Sequence, residues 1–238
     1  MTFLSRFFYR SLQAIPFECA LCQHWPSRAF EGVSGVCQTC IQKHAPNYPH
    51  APKFLPPNGL DECIAAVNFD APWSSLIARY KFAPEPGLAR LFAGLLLRDE
   101  RVHAMLNQVD IVMPLPLAPE RLAARGFNQA LHLSKHLIQH LNHDHLIDSS
   151  SLVRTRDTVA QRTLNREARQ RNVANAFALH TSRHKGYGND LPTFAGQHIL
   201  LVDDVMTTGA TLSAAAQPLR KAGAASVSAL VIAHTPLH

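Results

Sequence analysis

No stretch of this 238-residue chain approaches the run of about 18 to 20 apolar residues that crosses a bilayer, so membrane insertion is not expected. The opening MTFLSRFFYRSLQAIPFECALC also lacks the unbroken apolar core and small-residue cleavage signal of a secretory leader, because Arg6 and Arg10 interrupt it. A cytoplasmic protein is the expectation. Within that opening, Phe7, Phe8 and Ile15 recur at helical spacing, which suggests an amphipathic first helix packed on a core. Membrane-surface binding is the other reading of the same aromatic stripe. Acidic residues are in the minority, with 17 Asp plus Glu against 23 Lys plus Arg and a net charge of +6. This balance suits an anionic ligand or partner, such as a phosphate ester or nucleic acid. Cysteine is scarce, at 5 residues, and a chain of this length buries a sizeable core without disulfide staples.

The few cysteines are not scattered. Cys19 and Cys22 form one CxxC pair and Cys37 and Cys40 a second, while Cys63 stands alone. Two such pairs supply four thiolates to one tetrahedral Zn²⁺, and a small segment with little core of its own takes its folding energy from the metal. Disulfides do not suit a reducing cytoplasm, and no thioredoxin-like βαβ pattern surrounds either pair to support a redox CxxC. Four protein ligands close the coordination sphere, so the zinc is expected to be structural. Cys63 opens the apolar run CIAAVNF and reads as a buried strand residue.

From His44 to Pro57 the sequence HAPNYPHAPKFLPP has five prolines in fourteen residues, which neither a helix nor a central strand tolerates. It reads as a linker, giving a zinc-binding module over residues 1–55 and a second domain over residues 56–238. In that domain the expected elements are a strand at CIAAVNF, a helix at WSSLIARYKF, a helical stretch from Leu88 to Leu106, a buried strand at DIVMPLP and a helix from about Phe127. His132, His136 and His140 share one side of the last helix, opposite the apolar one. Imidazoles four apart invite a metal, but no acidic ligand accompanies them, so solvated histidines are expected. HILLVDD, then TLSAAAQPLRKAG with Gly223 as a plausible C-cap, then SVSALVIAH read as strand, helix and strand. Near-continuous apolar strands in that order make an α/β fold, a parallel sheet flanked by helices on both faces.

The chemistry is concentrated in ILLVDDVMTTGATL, Ile199 to Leu212. Ligands of such sheets bind at the carboxyl ends of strands, where Asp203 and Asp204 fall. Adjacent carboxylates accept hydrogen bonds from vicinal ribose hydroxyls, directly or through hydrated Mg²⁺. The following turn offers backbone N–H groups and threonine hydroxyls at a helix N-terminus, a cradle for phosphate. Sugar hydroxyls at one end and phosphate at the other match a ribose 5-phosphate. An N-capped helix beside two solvated aspartates, or an aspartyl-phosphate site, asks for fewer of these features.

This stretch closely resembles the phosphoribosyl pyrophosphate (PRPP) motif of type I phosphoribosyltransferases. With CALC and CQTC near the start, PLPLAPERLAARGFNQA from Pro114 to Ala130, and RTRDTVAQRTLNREARQRNVANAF from Arg154 to Phe177, nearly the whole chain resembles the ComF/GntX family. Those proteins are phosphoribosyltransferase-like competence proteins with an N-terminal zinc finger. The resemblance implies a type I phosphoribosyltransferase-like domain and a role in natural transformation, handling incoming single-stranded DNA beside other competence proteins.

It further implies that Asp203 and Asp204 meet the ribose hydroxyls and Mg²⁺, and that Thr207, Thr208, Gly209, Ala210 and Thr211 form the 5′-phosphate loop. PLPL resembles the position of the pyrophosphate loop, making Arg121 and Arg125 pyrophosphate ligands; a solvated Arg-rich helix start is the other reading. The six arginines from Arg154 to Arg171 suit a basic loop over PRPP, contact with a nucleic-acid backbone, or a salt-bridged solvated helix. Two classes of function remain open: phosphoribosyl transfer to an acceptor, or non-catalytic binding of DNA or competence partners with PRPP as a regulatory ligand or none. The chain departs from the family pattern after Cys40, where no second set of cysteine pairs precedes the linker.

Overall fold

The computed structural model describes residues 16–30, 33–45, 54–82, 85–139, 146–155, 176–180 and 193–236. The expected first helix, His140, most of the proline linker, and the basic stretch beyond Thr155 lie outside the described residues.

Helix α1 (Gln38–His44) closes the cysteine segment. There follow β1 (Glu62–Asn68), α2 (Trp73–Phe82), α3 (Pro86–Leu96), α4 (Glu100–Leu106), β2 (Ile111–Pro114), α5 (Pro119–Arg125), α6 (Gln129–Ile138) and β3 (Leu146–Ile147). The last elements are β4 (Leu152–Arg154), β5 (Phe177–Leu179), β6 (His198–Met206), α7 (Ala210–Lys221) and β7 (Ser226–His234). The main sheet is parallel throughout, in the order β1-β7-β6-β2-β3. Among the described residues, no helix is long and apolar enough to cross a membrane.

Both faces of the sheet are covered, which is why its strands are apolar on both sides. On β6, Leu200 and Val202 belong to one core with α2, α3, α4 and α6. Ile199 and Leu201 belong to the other, with α7 and the antiparallel β4–β5 pair. This alternation follows from the two-residue repeat of a strand. Cys63 is buried in β1 as expected, its thiol donating to the Met206 sulfur at 3.8 Å.

Two elements depart from expectation. The stretch Leu88 to Leu106 is two helices, because Asp99 leaves the helical backbone and caps α4, accepting from the Arg101 N–H at 3.0 Å. The apolar pattern continues across this break, so periodicity alone reads through it. Helix α7 ends at the cap residue Ala222, and Gly223 follows in the left-handed conformation at φ +93. Ala224 N–H reaches Leu219 O and Gly223 N–H reaches Arg220 O, the paired bonds of a Schellman stop.

The cysteine segment packs on the sheet domain. Cys19, Val33, Val36, Cys40 and Ile41 are buried in the same core as Leu91 of α3 and Trp73 of α2. The Trp73 indole N–H donates to the carbonyl of His44 at 2.9 Å.

Candidate functional site

The carboxyl end of β6 carries Asp203 and Asp204 on adjacent residues of an extended chain, so the two carboxylates leave the strand on opposite sides. Asp204 points to the α2 side, where its Oδ1 lies 3.1 Å from Lys81 Nζ. Both partners are sheltered, with side chains 15% and 26% exposed respectively. Asp203 is half-buried, and its Oδ1 accepts the backbone N–H of Asp204 at 2.8 Å. Burial first, then the charge of Asp204, pushes the Asp203 carboxyl up to about 7, while that backbone bond, Lys81 and Arg154 pull the other way. Asp203 therefore carries its charge reluctantly, and cations on two elements, Lys81 and Arg154, offset only part of that cost.

Lys81 is placed by a lock between helices. Buried Gln129 donates its side-chain amide to the Lys81 carbonyl at 2.8 Å, and the buried Tyr80 hydroxyl donates to the backbone carbonyl of Gln129 at 2.7 Å. Burial, then the charge of Asp204, pushes the Tyr80 hydroxyl upward, so it stays a protonated donor. Phe82, next along the chain, is 75% exposed and lies beneath the Arg125 guanidinium, 5.3 Å from its ring centre. The structure thus brings Arg125 to the helix end that bears Lys81. Arg121 lies half-buried on the first turns of the same α5. Its carboxyl-terminal stop, Gly126 at φ +76, is followed by Asn128, which caps α6 and donates to the Leu115 carbonyl at 3.0 Å. That bond ties the loop after β2 to the start of α6.

Beyond β6, Gly209 occupies the N-cap of α7 at φ +75, a conformation that favours glycine. A Cβ there would come within 2.7 Å of the Pro57 Cβ and closer still to its Cγ. The turn is therefore held from outside by the chain leading into β1. Thr207 is exposed and Thr208 half-buried, the latter's hydroxyl accepting the Ala210 N–H at 3.4 Å. Ala210 and Thr211 begin α7, whose first-turn N–H groups have no intrahelical acceptor.

The second constellation is the cysteine cluster. The sulfurs of Cys19, Cys22, Cys37 and Cys40 lie within 4.8 Å of one another, and Cys22 and Cys37 sulfurs are 3.7 Å apart. Four sulfurs at about 2.3 Å from one ion stand roughly 3.8 Å apart in a tetrahedron, so this donor set fits a metal ion. The Cys37 N–H donates to the Cys19 sulfur at 3.3 Å, the kind of backbone bond that supports a thiolate.

A cavity of about 1090 Å³ opens between the cysteine segment and α3, lined by Glu18, Arg79, Glu85, Arg90 and His136 among others, and neither the acidic pair nor the glycine turn borders it. His132 and His136 are half-buried rather than solvated, His132 against the Phe127 ring at 5.5 Å. Burial lowers the His136 pKa.

Sequence reading found the acidic pair and the glycine turn because they are contiguous. It missed Lys81, Tyr80 and Gln129, which meet the pair only through folding. Arg154 was noted only within a basic run, yet its charge acts on Asp203 from β4; the short β4–β5 pair that places it was not foreseen.

A parallel sheet with an acidic pair and a left-handed glycine turn at one strand end is the architecture of a phosphoribosyltransferase-like domain, and residues 126–236 match the phosphoribosyl transferase domain family. The chain belongs to the ComF family of competence and DNA utilization proteins. It is 31% identical to DNA utilization protein YhgH of Escherichia coli K12, over 93% of this chain and 98% of that protein. It is 32% identical to competence protein F of Haemophilus influenzae, over 79% of each. Competence protein ComFC of Streptococcus pneumoniae is 28% identical over 68% of this chain and 64% of that protein.

Proposed function

We propose that this chain binds PRPP at the carboxyl end of β6. Asp203 and Asp204 accept the ribose hydroxyls; Thr207, Thr208, Gly209, Ala210 and Thr211 surround the 5′-phosphate; Arg121 and Arg125 face the pyrophosphate. The observation that supports this most directly is the convergence of the acidic pair, Lys81, Arg125 and the glycine turn around one strand end. Paired carboxylates are hard oxygen donors that suit Mg²⁺ with its waters; when bound, the ion neutralises charge on the diphosphate. The chain's own residues orient the sugar, hold its phosphate on backbone N–H groups, and set cations beside a leaving diphosphate.

The cysteine cluster holds structural Zn²⁺, in a module reaching to about residue 55 ahead of the phosphoribosyltransferase-like domain from residue 56. In the cytoplasm the protein acts on incoming single-stranded DNA in natural competence, beside other competence proteins; the names of its relatives and its net charge of +6 support that role. If the chain is an enzyme, PRPP loses pyrophosphate through an oxocarbenium-like step and an acceptor nucleophile forms the new bond at C1. The same relatives' names favour a second reading, in which the protein binds DNA without catalysis and PRPP regulates it.

The two readings separate in one pair of assays. Transfer requires pyrophosphate release that depends on an added acceptor and disappears in Asp204→Ala. Pure DNA binding requires salt-sensitive affinity that weakens on charge loss at Arg162, Arg166 or Arg169 and survives Asp204→Ala, with no pyrophosphate released.

A further inference from the structure

We propose that Lys81 is a ligand-reading residue, which distinguishes a ribose 5-phosphate carrying a diphosphate at C1 from one carrying only a hydroxyl there. This rests on the PRPP reading of the acidic pair and adds a specificity element to it. The ammonium of Lys81 lies 3.1 Å from Asp204 Oδ1, in a site where both side chains are mostly sheltered from water. Its backbone is immobilised by Gln129, which holds the Lys81 carbonyl, and by Tyr80, which holds Gln129. Only the side chain can then respond to a ligand, and a lysine is a compact charge on a swinging four-carbon stem.

Ribose hydroxyls donating to Asp204 compete for the oxygen that Lys81 already uses. A sugar that takes this oxygen without bringing a negative charge leaves a sheltered ammonium with a weakened partner, which is unfavourable. A diphosphate at C1 brings its own negative charge, which the swinging ammonium can take in place of the carboxylate. Lys81 then moves from carboxylate to diphosphate while Asp204 turns to the sugar. Arg125, stacked on the adjacent Phe82, places a second cation at the same helix end. The exchange makes the diphosphate, rather than the sugar alone, the condition for tight binding.

The test is calorimetric titration of the full chain with PRPP and, separately, with ribose 5-phosphate, both with Mg²⁺. Wild type, Lys81→Met, Lys81→Gln and Lys81→Arg are compared. In Lys81→Met or Lys81→Gln the Kd for PRPP is expected to rise by about tenfold or more, the cost of one charge-assisted hydrogen bond. The Kd for ribose 5-phosphate is expected to stay the same or fall, and Lys81→Arg to recover most of the preference. Two neutral variants guard against failure of either to fold, which melting curves report. Equal losses for both ligands, or no loss for either, would overturn the role of Lys81 while leaving the PRPP site standing. A wild type that binds neither ligand would overturn both.

Discussion

Asp203 shows in one side chain how an acidic pair strains a fold. Burial and the neighbouring carboxylate raise its pKa to about 7, well above the ordinary carboxyl value. The ionised form is therefore disfavoured in the folded state relative to the unfolded chain. Its contribution to stability is fully present below pH 4 and is lost as pH rises through 7. Among the described residues, the charged groups acting on it are Asp204, Lys81 and Arg154. Asp203→Asn should accordingly melt higher than wild type at pH 8, with the gain shrinking toward pH 5. Thermal melts across that range check it, and an asparagine variant less stable at pH 8 would show that the carboxylate is well solvated. The acidic pair itself was legible in the sequence because two carboxylates between an apolar strand and TTGAT are contiguous. Lys81 was not, because a lysine in the last turn of an amphipathic helix is satisfied by the helix dipole alone; its bond to Asp204 exists only once β6 and α2 are packed.

At the scale of elements, the site depends on how α2 and α6 are joined. Gln129 is 1% exposed, and its amide occupies the Lys81 carbonyl at the end of α2. Gln129→Ala leaves that carbonyl without this donor and opens a small void. A loss of about 1 to 3 kcal/mol of unfolding free energy is expected, read from urea denaturation. A loss below the error of that measurement would mean that water replaces the amide without penalty. Strands β1, β2, β6 and β7, with α2, α6 and α7, follow the runs and periodicities of the sequence. The split between α3 and α4 does not, because one cap at Asp99 interrupts an apolar pattern that continues on both sides. The β4–β5 pair was invisible for a different reason: strands of three residues carry too little alternation to register. Half-buried His132 and His136 were misread as solvated, since a helix wheel cannot show that α3 and the cysteine segment lie near His136 or that the Phe127 ring lies against His132.

For the whole molecule, the cysteine segment and the sheet share a core. Buried Cys19 and Cys40 sit with Leu91 and Trp73, and α2 runs from the Trp73 bond with His44 to Lys81 at the acidic pair. The metal that the four sulfurs fit is thus expected to support the main domain as well as its own segment. Chelation, or Cys40→Ser, should lower the melting temperature of the entire protein in one transition. A separate low-temperature transition with the main melt unchanged would show that the two parts fold independently. CxxC spacing disclosed the cluster from sequence, whereas its packing against α3 depends on apolar residues whose partners no local pattern specifies.

The central claim is that the end of β6 binds PRPP, and calorimetric titration with Mg²⁺ tests it most directly, using wild type beside the double variant Asp203→Asn/Asp204→Asn. Saturable binding by wild type, lost in a double variant that still melts cooperatively, is the expected result. Absence of binding by the wild type, or binding that the double variant retains, would contradict it.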